Sequence, residues 1–96
     1  MSEKSLFTVI AYDIANDRRR RALVRALESF GQRAQESVFE AWLTDRERKK
    51  METKVNQCLD LSEDRLAIYV LPKVDHNAIV NLGSGNIAKD FTHLIL

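Results

Sequence analysis

The chain has 96 residues and a mass of 11.1 kDa, which leaves room for one hydrophobic core and argues against a second domain. Hydrophobic residues make up 45% and charged residues 30%, a balance that excludes a disordered chain. Fifteen Lys and Arg against fourteen Asp and Glu leave +1 overall, so bulk charge names no nucleic-acid partner and the distribution of charge must decide.

From Leu6 to Tyr12 the residues are β-branched and aromatic, without Gly or Pro, which predicts a central strand that stops at Asp13. Asn16 or Asp17 then offers a side-chain oxygen to the free amides of a helix whose apolar residues Ala22, Leu23, Ala26, Leu27 and Phe30 recur at helical spacing until Gly31. A short strand is predicted near Arg33 to Gln35 and a longer one from Val38 to Leu43, separated where Gln35, Glu36 and Ser37 interrupt the apolar pattern. Thr44 with Glu47 fits a capping box, and Met51, Val55, Cys58 and Leu59 form the buried stripe of a second helix that ends before Asp60. Leu66 to Leu71 reads as a buried strand halted by Pro72.

The order β-α-β-β-α-β is the split βαβ pattern of ferredoxin-like α+β folds, with antiparallel strands and both helices on one sheet face. The other face then lacks a helical cover. Beyond Pro72 come Ala78-Ile79-Val80-Asn81-Leu82, a Gly83-Ser84-Gly85 turn and Phe91-Thr92-His93-Leu94-Ile95-Leu96, too apolar for a solvated tail. An additional C-terminal strand is expected here, added to a sheet edge of a second copy, so that a two-fold dimer buries the open face. Residues 1–96 thus form one domain, with 1–72 as the core and 73–96 as an extension docking on the dimer mate. The lone Cys58 has no disulfide partner, no Cys/His set offers zinc-type spacing, and the apolar runs are too short to span a bilayer. A soluble cytoplasmic protein with no membrane partner is expected.

Asp13 follows a buried strand directly and precedes Ile14-Ala15-Asn16, so its carboxylate should stand at the strand end beside the start of the first helix. Two uses compete. It caps the turn with a backbone hydrogen bond, or it is a ligand for a hard cation such as Mg²⁺, which takes one or two carboxylates plus waters and substrate phosphates. A two-fold dimer that brought two copies of Asp13 together would supply the second carboxylate, and the metal would activate water or polarise a phosphoryl oxygen.

Arg18, Arg19, Arg20, Arg21, Arg25 and Arg33 face only Asp17 and Glu28 within residues 17 to 33, whereas residues 36 to 64 carry five basic and eight acidic side chains. The near-neutral total hides a polarised domain. At 100° per residue Arg18, Arg21 and Arg25 fall within about 60° of one another, away from the apolar stripe. They form either a phosphate-binding ridge suited to arginine's planar fork or a solvated helix face paired with nearby acids. Ser37 falls near Asp13 if the second and third strands flank the first, and its hydroxyl then donates to a phosphate or a metal-bound water; otherwise it is an ordinary strand serine. Phe39 and Trp42 stand at strand spacing and read as core or dimer interface before they read as base-stacking platforms. His76, His93 and Cys58 have no recognisable partner and read as structural.

Tyr12-Asp13-Ile14, Asp17, Arg19-Arg20, Gly31, the run Gln35-Glu36-Ser37-Val38-Phe39-Glu40, Asp64 and the strand Ile68-Tyr69-Val70-Leu71 together resemble the CRISPR-associated protein 2 family, over about residues 6 to 72. The resemblance implies a ferredoxin-like homodimer that works with the CRISPR integrase subunit, bridging two integrase dimers and holding duplex DNA while spacers are acquired. It also implies, for some members, a metal-dependent endonuclease acting on RNA or DNA, with Asp13 holding Mg²⁺ or another divalent cation between protomers. Tyr12, Arg19, Arg20, Ser37 and Phe39 fall on motif positions near that site, and Asn16 stands where an acidic residue is often found. The toxin-type ribonucleases of the virulence-associated D family share the fold and rank lower. A non-catalytic regulatory module of the same fold is a third reading.

Overall fold

The computed structural model describes residues 4–80 and 82. It contains β1 (Leu6–Asp13), α1 (Asp17–Glu28), β2 (Gln32–Gln35), β3 (Val38–Leu43), α2 (Asp45–Asn56) and β4 (Arg65–Leu71), followed by a single 3₁₀ turn at His76–Ala78. The strands form one sheet in the order β2-β3-β1-β4, with antiparallel pairing throughout. This is the expected ferredoxin-like architecture.

Period-2 alternation assigns each strand residue to a face. On β1 the residues Ile10 and Tyr12 point to the helices, where they join Leu23, Leu27, Phe39, Ala41, Leu43, Met51 and Val55 in the core. Phe7, Val9, Ala11 and Asp13 point the other way, alongside Glu40 and Trp42 of β3 and the exposed Tyr69 of β4. Among the described residues no helix of regular length covers this second face. Phe7 and Trp42 pack there with ring centroids 5.1 Å apart, and His76 lies against Trp42 at 4.5 Å. The segment after β4 therefore folds back over one end of its own sheet.

Local chemistry accounts for the element ends. Asn16 caps α1 by accepting from Arg19 N at 3.0 Å, and Thr44 with Glu47 makes both hydrogen bonds of the capping box at the start of α2. The first helix stops at Glu28, before the expected Gly31, because Phe30 N and Gly31 N both turn back onto Leu27 O. Gly31 answers a different need. A Cβ there would lie 2.3 Å from Glu40 O and 2.6 Å from the Ala41 Cβ, so the chain passes too close to β3 for any side chain. The second helix likewise ends at Asn56, and Cys58 and Leu59 reach the core from the loop beyond it.

No strand occurs among the described residues after Leu71, and most of the segment beyond Pro72 in which an additional strand is expected lies outside the described residues. Among the described residues no helix is long and apolar enough to cross a membrane.

Candidate nucleic-acid interface and strand-end carboxylate

Asp13 ends β1, is exposed, and registers opposite Arg65 of β4 on the uncovered sheet face. Among the described residues its carboxylate accepts no hydrogen bond, because other groups hold the turn that follows. Asn16 caps the helix, and Asp64, from the loop before β4, accepts from Ala15 N at 3.0 Å. The turn-capping use of Asp13 is thus taken over by a residue 49 positions away in sequence from the amide it holds.

Asp64 is the centre of this end of the molecule. Its side chain is fully buried and paired with Arg19. It accepts from Arg19 Nε at 2.8 Å, from Arg19 Nη2 at 3.2 Å and from Asp60 N at 2.8 Å. The Arg19 guanidinium beside it holds its carboxyl well below the usual carboxylate range, with the Asp60 amide as the next cause. A lowered carboxylate contributes stability that is present above its unfolded value and disappears only as pH falls through the folded one. In the sequence Asp64 is a motif position with no assigned role; the only local signal is an acid directly ahead of a strand.

The six arginines divide. Arg19 is committed to Asp64 and to Glu63, the latter at 2.8 Å. Arg20 pairs with Asp17 and donates to Ile14 O at 3.4 Å. Arg33 donates to Glu36 O through Nε and Nη2. Arg18, Arg21 and Arg25 are exposed, with no ion pair among the described residues. Arg20, Arg21 and Arg25, with Val24, line a shallow cavity of about 220 Å³ that is closed on the other side by Arg33 of β2. The cationic surface is therefore wider than one helix ridge, while Arg18 stands outside the cavity lining.

Tyr12 and Phe39 do not face Asp13. Neighbours along a strand alternate, so the Tyr12 ring enters the helix side, 6.3 Å from the Phe39 ring, and Phe39 is completely buried. The Tyr12 hydroxyl donates to Glu36 O at 2.9 Å, and burial pushes its ionisation up despite Arg33 nearby. Both rings belong to the core on the helix side of the sheet. Ser37 does arrive at the Asp13 end: its carbonyl accepts from Tyr12 N at 3.1 Å, and the residue is exposed.

No group of three or more His, Cys, Asp or Glu side chains converges among the described residues. One chain thus offers a single carboxylate at the strand end, which fits a hard cation only when a second copy contributes its own Asp13.

Glu40 is the other acid on the open face, and burial raises its carboxyl above the ordinary value. Such a group costs stability as pH rises past its unfolded value near 4.3, and the cost is complete above its folded value. Glu40→Gln is accordingly expected to raise Tm by a few degrees at pH 7 and to match the unmodified protein below about pH 4, as read by thermal melts at both values.

The sheet and its helices define a ferredoxin-like domain with a free acid at the end of the central strand and an arginine-lined cleft beside it. A family model described as CRISPR associated protein Cas2 matches residues 6–79, and the chain belongs to that family. A relative named CRISPR-associated endoribonuclease Cas2 3, from Chloroflexus aurantiacus, is 36% identical over 91 residues, covering 95% of this chain and 98% of its own length. Cas2 from Streptococcus pyogenes has a similar structure, with a TM-score of 0.68 and 27% identity over 80% of this chain and 99% of that one. A chain in a structure described as a partial Cas6-RT-Cas1–Cas2 complex gives a TM-score of 0.62 at 32% identity, covering 83% of this chain and 96% of that one.

Proposed function

We propose that two copies of this chain form a two-fold dimer that holds duplex DNA and bridges dimers of the CRISPR integrase during spacer acquisition. The observation that carries this reading is the state of the basic face of α1. The acids nearest its start are already consumed, Asp17 by Arg20 and Glu63 with Asp64 by Arg19. Arg18, Arg21 and Arg25 therefore keep their charge facing solvent, next to a cleft closed by Arg33. Arginine forks engage phosphate oxygens in pairs. The uncovered sheet face, with Val9, Ala11, Tyr69 and Leu71, supports a second copy as its cover. The Cas1–Cas2 complex among the structural relatives supports the integrase as partner.

Replacing Arg18, Arg21 and Arg25 together with alanine is expected to weaken duplex binding and to make its logarithmic salt dependence shallower by about 2 to 3, at roughly 0.9 for each phosphate no longer neutralised. Binding titrations at several salt concentrations measure this. Unchanged affinity and slope would remove the case for the α1 face.

A second reading is favoured by one observation, the Asp13 carboxylate on the open sheet face, which accepts no hydrogen bond among the described residues. In the dimer the two Asp13 side chains would hold Mg²⁺ or another divalent cation, which supplies an activated water for phosphodiester hydrolysis. The endoribonuclease in the relatives' names supports RNA as the substrate of that activity. The two readings are compatible, since the arginines bind the backbone in either case.

A further inference from the structure

The face to which Asp13 points is set by the strand register, and its aim there is fixed from the other side by the two peptides that follow it. Upstream, β1 is paired on both sides up to this residue, with Ser37 O and Leu66 flanking Tyr12 and Arg65 opposite Asp13. Downstream the strand ladder ends, and the next fixed unit is the Ile14–Ala15 peptide. Both of its polar atoms are held by side chains: the carbonyl by Arg20 Nη1 at 3.4 Å and the amide by Asp64 Oδ1 at 3.0 Å. Asp64 is in turn gripped by the Arg19 fork and by the Asp60 amide, which ties the β1–α1 turn to the loop before β4.

We infer that Asp64 is a positioning residue for Asp13: with Arg19 it clamps the Ile14–Ala15 peptide, and so aims the strand-end carboxylate out of the open sheet face. This rests on the metal-site reading of Asp13 given above. A carboxylate is required at position 64, because each of its oxygens takes two donors, Ala15 N with Arg19 Nη2 on one and Arg19 Nε with Asp60 N on the other. An asparagine would turn its NH₂ toward two donors whichever way it is placed. The charge of Arg19 then serves this clamp and not contact with nucleic acid, in keeping with its two carboxylate partners.

The test compares Asp64→Asn, Arg19→Lys, Val55→Ala and Asp13→Ala in the dimeric protein, each at a temperature where melts show it folded. Val55→Ala serves as a core variant that lowers Tm without touching the clamp. Two quantities are read: the midpoint of Mn²⁺-induced broadening of NMR signals around residue 13, and the Mg²⁺ concentration for half-maximal RNA cleavage. Loss of a supporting hydrogen-bond partner near a metal ligand typically costs about 10- to 100-fold in affinity. Asp64→Asn is expected to raise both midpoints at least about tenfold, Arg19→Lys to raise them by less, and Val55→Ala to leave them unchanged. Wild-type midpoints in folded Asp64→Asn overturn the inference, as do wild-type midpoints in Arg19→Lys if Asp64→Asn does not fold. Equal shifts in Val55→Ala overturn it too, since they would trace to stability alone. If Asp13→Ala itself keeps Mn²⁺ binding and cleavage, the metal-site reading fails, a separate result from failure of the clamp.

Discussion

Asp13→Ala is expected to abolish divalent-cation-dependent cleavage while leaving the fold and spacer acquisition intact. The Asp13 carboxylate is exposed and accepts no hydrogen bond among the described residues, because Asn16 and Asp64 satisfy the amides that follow. Removing it leaves no buried group unpaired, so Tm should stay within about 3 °C of the unmodified value. Cleavage is a different matter, because no cluster of ligands exists among the described residues to take over from the Asp13 carboxylate. A drop of about 100-fold or more in cleavage of labelled RNA with Mg²⁺ is therefore the expected reading. If integration chemistry belongs to the partner integrase, new spacers should still enter the array with this variant. Cleavage that survives the substitution would remove Asp13 as the group that carries it.

Phe39→Ala is expected to be the most damaging substitution for stability. Phe39 is fully buried near the start of β3, against the Tyr12 ring and within the cluster that joins both helices to the sheet. Truncating a buried phenylalanine costs about 3 to 5 kcal/mol, against roughly 5 to 14 kcal/mol for a domain of this size. Tm should fall by about 15 °C or more, measured by thermal melts and urea titration. Phe39→Leu should recover most of the loss, since it leaves a smaller cavity. Activity should track the folded fraction in both variants. A Phe39→Ala protein that stays fully folded yet fails to bind or cleave would put this ring at the site and not in the core.

Strand and helix positions are readable along the chain because each rests on contiguous residues. The β-branched run of β1, the Thr44 and Glu47 pair and the Asn16 cap all act between near neighbours, where local energetics dominate. Helix ends are less legible. Ser29 and Phe30 look helical by spacing, but Gly31 must meet β3 at close range, and the chain leaves the helix early to bring it there. The split of the arginines is not readable at all, since Arg18 and Arg19 are the same residue type on adjacent positions and differ only in which side of the turn they meet.

Composition and periodicity specify the order of elements and an acid at the end of the central strand, because hydrophobic spacing and capping are properties of neighbouring residues. That Asp13 is left unbonded among the described residues, that Tyr12 turns away from it and that Arg19 is withdrawn from the basic face all follow from folding the chain up. Each depends on Asp64 meeting the Ala15 amide from 49 residues away, or on which face of the sheet the helices cover, and no local pattern encodes either.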